Sequence, residues 1–404
     1  MILNIKSYLL KIDIYSILVL LIFLAAPLRF YVSTSIILEI VTFGLVVWGF
    51  AKHKFTKKIW SPTASKFVVY FFIYFIISSF ISYNGFDEAG FANENYRFFL
   101  FLIMLAVMAS LPLDFDKLSK LCLWCCKMHI LFTLYEFTYI NLLALGDYDG
   151  IFLVGKAMAS YDVDSQYLRE SDNLGLMAIR PFGLMLPQKS GFVFCVGIIL
   201  QYIRNRLSHS HFTNLWYILF VVAIFLTGAK TALLCALVLL IAIKLNIYLG
   251  QKMTRKRLGI YHVIIFVLIV YSLFIGIDIQ NIALISSNSA RNDVLNDNLC
   301  FLNYDIPNIL LGIGIPYQKS LLIHGYICEC FEARLLAQVG IVNFILLLWF
   351  LKSFYKTYDK RLNFMLLITL FFMCLHYCVI NAYFISFCMI VIYCYAKQYK
   401  IYTM

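Results

Sequence analysis

The stretch "FVVAIFLTGAKTALLCALVLLIAI" (Phe220–Ile243) is apolar almost throughout, yet it carries one cation, Lys230, directly after Thr227-Gly228-Ala229. A lysine at the centre of a membrane helix costs roughly 2.5–3.5 kcal/mol on insertion scales. The apolar run extends over 214–249, too long for one span, with almost no polar break except Thr227–Lys230. Two short helices joined by a tight turn fit that pattern, with threonine and glycine supplying the turn chemistry. Lys230 then falls at a helix end, where the cost largely disappears. A lysine that merely snorkels from an interface remains the plainer reading of the same residue.

Composition widens the argument to the whole chain. Of 404 residues, 63% are hydrophobic and 13% charged, and the mean hydropathy is +0.85. A soluble domain carries about 45–50% apolar and about 25% charged residues, so this excess exceeds what one soluble core can bury. Apolar runs near 20 residues match a hydrocarbon layer of ~30 Å. The expected fold is therefore an all-α integral membrane protein of about twelve transmembrane helices, a single polytopic unit over 1–404. A β-barrel is excluded, because its strands alternate in segments of about ten residues. The net charge of +12 does not indicate nucleic acid. Its cations fall in short clusters between apolar runs, "AKHKFTKK", "RNR", "QKMTRKR" and "KSFYKTYDKR", the pattern of cytoplasmic loops.

The spans are expected at 12–28, 33–50, 66–83, 96–111, 121–145, 181–203, 214–228, 230–248, 259–277, 335–351, 363–380 and 382–396, with both termini inside. The first span reads as uncleaved, since further spans follow at once. No convincing internal repeat supports an inverted-repeat transporter. Two outer loops are long, 147–180 and 278–334, while every inner loop is short. Long connections are usually functional or disordered, and the second loop is apolar enough to fold. The working side is then the outer side.

Four cationic or titratable residues fall at that face. Arg180 opens the sixth span in "IRPFGLMLPQKSG", Lys230 forms the turn, Arg291 stands in "SSNSARNDVL", and His324 in "LLIHGYICECFEAR". Arginine grips phosphate oxygens with a planar fork and lysine acts as a point charge, so the set suits an anionic lipid head group. Each arginine taken alone also fits an interfacial anchor. His324 titrates near working pH and can accept a proton, although a lone histidine is often structural. Glu136, in "LFTLYEFTYI", is an intramembrane carboxylate and so a functional candidate, or a residue paired with a bundle cation.

No metal or cofactor is indicated. "CLWCC" (122–126) has no matching histidine pair and reads as packing. Cys300 can form a disulfide with Cys328 or Cys330, leaving one thiol over. The chain has no P-loop, GxGxxG, HExxH or GxSxG, so ATP-driven transport has no support.

Several stretches taken in order resemble the Wzy-type O-antigen polymerases and the related O-antigen ligases. They are "LTGAKTALL", the serine-spaced "SSNSAR", "NILLGIGIP", a histidine ahead of "LLAQVGI", and the spacing from Arg180 to Gly191. The resemblance covers roughly Arg180 to Ile341. Lys230 stands where those proteins usually have arginine, Gly325 replaces the asparagine after the histidine, and no tryptophan follows Arg291 at the usual place.

The resemblance implies a GT-C-like glycosyltransferase architecture in a bacterial inner membrane, facing the periplasm. It implies inverting transfer between undecaprenyl-diphosphate-linked repeat units that serve as donor and acceptor. Arg180, Lys230 and Arg291 would bind the diphosphate, and Arg180, Arg291 and His324 would form the catalytic set. A flippase and a chain-length regulator are the implied accessory partners. Two other activities are alternatives. An O-antigen ligase would share the site but use lipid A core as acceptor. A lipid-linked oligosaccharide flippase, a transporter, would expose cations along a central cavity instead of on outer loops. A non-enzymatic membrane scaffold would leave the outer charges replaceable.

Overall fold

The computed structural model describes residues 14–28, 34–53, 113–143, 183–185, 187–207, 213–244, 360–374 and 382–398, with isolated positions at 32, 73, 100, 103, 104, 107, 108, 111, 181, 306, 310, 340–342 and 345. Of these, 92% are helical. The helices are α1 (Ile14–Leu28), α2 (Thr34–His53), α3 (Phe115–Thr138, continued by a π turn over Tyr139–Leu143), α4 (Pro187–Leu207), α5 (Thr213–Leu226), α6 (Lys230–Lys244), α7 (Lys360–Cys374) and α8 (Tyr383–Gln398).

The expected membrane architecture is corrected at this point. Among the described residues, no helix is long and apolar enough to cross a membrane, which overturns the twelve-span, GT-C-like fold class. Among the described residues the most apolar helices are short. Helices α1, α5, α6, α7 and α8 have 14 to 16 residues, or about 21–24 Å at 1.5 Å per residue, short of a ~30 Å layer. Of the longer ones, α3 and α4 are polar. Asp116, Lys117, Lys120, Lys127 and Glu136 punctuate α3, while Lys189, Gln201, Arg204 and Arg206 punctuate α4. Glu39 interrupts α2. The spans expected at 66–83, 96–111, 259–277 and 335–351 lie outside the described residues apart from isolated positions.

The chain divides into two compact units. One comprises Met1–Val41, Leu113–Leu245 and Ala382–Gln398, and the other Thr42–Pro112, Asn246–Asn381 and Tyr399–Met404. The first holds α1, α3, α4, α5, α6 and α8. Helix α4 is its centre, packing on α3, α5, α6 and α8. Its segment Phe192–Ile203 is buried without a break, as a helix apolar on every side must be. Phe23 of α1 meets Phe384 of α8 edge to face, with centroids 4.9 Å apart. In the second unit the described residues include α7, whose Leu362, Met365 and Met373 are buried.

Helix α3 begins at a capped end: the Lys117 N–H donates to the Asp114 carboxylate at 3.0 Å, satisfying one of the four orphan donors there. Helix α4 begins with Pro187, whose missing N–H costs nothing in a first turn. The two run antiparallel, with Arg204 reaching the start of α3. Its Nη2 donates to the Asp116 carbonyl at 2.7 Å and to Ser119 Oγ at 2.6 Å, and it lies 2.9 Å from the Asp116 carboxylate. Lys120 closes on the other carboxylate oxygen at 2.8 Å. Asn205 donates to the Tyr217 hydroxyl at 3.0 Å, and Lys127 lies over the Trp216 ring at 4.0 Å. One end of the unit is thus a polar network joining α3, α4 and α5.

Burial pushes the Asp116 carboxyl up, but the Lys120 hydrogen bond and the Arg204 charge outweigh it and hold it below the usual carboxylate range. A folded-state pKa below the unfolded one contributes stability that is complete above the unfolded value. That contribution is lost as pH falls through the folded value. Between about pH 6 and about pH 3, the urea midpoint of the native chain is therefore expected to fall further than that of Asp116→Asn. Equal falls in the two would show that this ion pair contributes nothing to folding.

Candidate functional site

The opposite end of the same unit holds two of the residues that the sequence singled out, Glu136 and Lys230. Helix α5 ends at Leu226, and the chain reverses through Thr227, Gly228 and Ala229 into α6, whose first residue is Lys230. Gly228 has φ +62°, the left-handed conformation that ends many helices and that glycine adopts freely. Its N–H donates to the Phe225 carbonyl at 3.0 Å, and the buried Thr227 hydroxyl donates to the Ile224 carbonyl at 2.7 Å. The tight turn expected from the opening stretch is present. Lys230 is half-buried and sits where the helix macrodipole is positive, an unfavourable place for a cation. The N-terminal end of a helix favours negative charge.

The turn rests on α4 at Gly191. A Cβ built there would lie 2.7 Å from Ala229 Cβ and 2.8 Å from Ala232 Cβ, with Thr227 Oγ1 at 3.5 Å. The Cys195 thiol donates to the Ala232 carbonyl at 3.2 Å one turn further on. The glycine eleven residues after Arg180 is therefore a point of close approach between α4 and the start of α6. Its spacing has a packing explanation.

The segment just before α4 packs on α3. Pro181, Gly183, Leu184 and Met185 are buried. The Gly183 N–H donates to the Glu136 carboxylate, and Glu136 itself is 3% exposed. The Leu184 N–H donates to His129 Nδ1 at 3.4 Å. Gly183 has φ +59°, and a Cβ on it would come within 2.8 Å of His129 Cε1 and 2.9 Å of Thr133 Oγ1. His129, Thr133 and Glu136 lie at i, i+4 and i+7 on α3, one face of the helix. The imidazole is fully buried between Phe23 and Phe194, with centroids at 6.1 and 5.1 Å. Its Nε2 has no hydrogen-bond partner among the described residues.

Of the residues proposed from sequence, the structure describes Glu136 and Lys230, and both lie at this end of the unit. Arg180, Arg291 and His324 lie outside the described residues, as do Cys300, Cys328 and Cys330. Cys122, Cys125 and Cys126 are buried thiols on α3. Sequence reasoning missed His129, Thr133 and Gly183. A histidine inside an apolar run reads as packing, and only the partner 54 or 55 residues away gives it another meaning. The chain matches no family model and no curated protein.

Proposed function

We propose that this chain is a lipid-linked oligosaccharide polymerase acting at a bacterial inner membrane, of the O-antigen type that its motifs resemble. The observation that carries the reading is the convergence at one end of the first unit. There the segment following Arg180 packs on α3, and the turn bearing Lys230 packs on α4 through Gly191. Two motif pieces separated by about 40 residues in sequence thus share one corner, to which Lys230 contributes a cation. Apolar side chains exposed on α3 (Trp124, Leu131, Phe132 and Tyr135) and on α5 (Leu215, Ile218, Val222 and Phe225) support a lipid environment.

In this reading the hydroxyl oxygen of a sugar on one lipid-linked repeat unit attacks the anomeric carbon of the growing chain from the face opposite its carrier. The bond from that carbon to undecaprenyl diphosphate breaks, and the diphosphate departs with the electron pair. The departing group needs charge stabilisation, which Arg180, Lys230 and Arg291 supply. His324 takes the hydroxyl proton. The chemistry is carried by side chains alone.

Lys230 provides the test. In cells lacking the native chain, the variants are expressed at equal abundance and the ladder of surface glycan is measured. A charged hydrogen bond contributes about 1.5–3 kcal/mol, so Lys230→Ala is expected to lose roughly ten- to hundredfold in polymerisation rate. Lys230→Arg keeps the charge and most of the rate. A full ladder from Lys230→Ala would leave only an interfacial lysine and remove the diphosphate assignment.

A further inference from the structure

The row His129, Thr133 and Glu136 has no part in the reaction just described, yet two of its members spend buried polar groups on the backbone that follows Arg180. We propose that Glu136 and His129 are positioning residues, a pair of acceptors that hold the Gly183 and Leu184 amides and so fix the chain leading from Arg180 into α4.

Three observations carry this. A buried carboxylate receives the Gly183 N–H, when an exposed loop would have given that donor to water. Gly183 is left-handed and has no room for a Cβ beside His129 and Thr133, so its backbone lies directly on the helix face. His129 Nδ1 accepts from Leu184, which requires the neutral imidazole carrying its proton on Nε2. That Nε2 is buried and unmatched among the described residues, a cost accepted where the other nitrogen holds the turn. Thr133 returns its own hydroxyl to the His129 carbonyl at 2.9 Å and lends the face its shape.

An acceptor role and a proton-transfer role predict different behaviour on amide substitution. Glutamine keeps the size of Glu136 and a carbonyl oxygen to receive the Gly183 N–H, but it cannot carry a proton to or from a substrate. Leucine keeps the bulk and removes the acceptor.

The experiment uses the purified full-length chain and two readouts. In the first, amide hydrogen exchange is followed on the peptide containing Gly183 and Leu184. Glu136→Gln should match the native protection, and Glu136→Leu should exchange about tenfold faster or more, as a locally opened segment does. In the second, which rests on the polymerase reading, the glycan ladder is compared in cells. Glu136→Gln should retain most of the native rate, and Glu136→Leu should fall about tenfold, the effect of a lost buried hydrogen bond. Native protection in Glu136→Leu would overturn the proposal, as would a Glu136→Gln chain that keeps protection but makes no ladder. Should the native chain itself make no ladder, the polymerase reading fails alone, and the exchange result still decides the role of Glu136. Exchange in peptides from the rest of the unit controls for folding. A Glu136→Leu chain that exchanges faster throughout, and not selectively at Gly183 and Leu184, would also overturn the proposal.

Discussion

Gly191→Val is expected to separate α4 from α6 and to abolish both the folded packing at the Lys230 turn and the activity proposed for it. The atoms that a Cβ would meet are themselves Cβ atoms, those of Ala229 and Ala232 at 2.7 and 2.8 Å. A methyl attached to a helix backbone cannot rotate away, so the relief has to come from the helices moving apart. Overpacking of a close-packed interior costs typically 1–3 kcal/mol for small additions, and valine adds two further carbons to the same clash. Against a total stability of about 5–15 kcal/mol, that is a large share.

Gly197 offers a contrast within the same helix. A Cβ there would meet the ring carbons Cε1 and Cζ of Phe220 at 2.4 and 2.6 Å. Those atoms are the far end of a side chain, buried with its ring 6.3 Å from that of Phe194. Gly197→Ala should therefore lower the denaturation midpoint while leaving the turn at Thr227–Lys230 in place. Measured by urea unfolding and by the glycan ladder, Gly191→Val should lose both stability and ladder, and Gly197→Ala stability alone. A Gly191→Val chain with native stability would mean that α4 and α6 are not in contact here.

The parts of this arrangement legible in sequence are those with a local cause. The reversal at Thr227–Lys230 was readable because an apolar run too long for one helix has almost no polar break except one with glycine in it. Glu136 was readable as a candidate because a carboxylate inside an apolar segment has to be reconciled with burial. The role of Gly183 was not, since its left-handed backbone and its amide bond to Glu136 span 47 positions, and nothing near residue 183 announces the partner. Arg204 was misjudged for a related reason. In "RNR" it reads as a loop cation, whereas its side chain is only 17% exposed and its guanidinium closes the start of α3. A bilayer crossing reads from hydropathy, which records how apolar a run is and not where charges fall within the helix. In α3 and α4 the charged residues fall inside the helix where a span would need apolar ones.

The last expected result concerns whether the two arginines act as one site. Arg180 and Arg291 are separated by 110 positions in the chain, and independent anchors would each give small effects that add. If both hold one departing diphosphate, each single alanine variant should be severe and the double variant little worse, because groups of one catalytic unit do not contribute additively. In cells lacking the native chain, Arg180→Ala, Arg291→Ala, their combination and His324→Ala are all expected to leave surface glycan with single repeat units and no ladder. The rate loss should exceed a hundredfold for each arginine, more than for Lys230→Ala, since the planar fork binds two oxygens where the ammonium binds as a point. The pattern of accumulation separates the competing activities. A ligase defect would leave no repeat unit on the core and pile polymer on the lipid carrier, and a flippase defect would hold single units at the cytoplasmic face. A full-length ladder from both Arg291→Ala and His324→Ala at native abundance would remove the 278–334 segment from the reaction. The role proposed for Lys230 would then rest on its own variants alone.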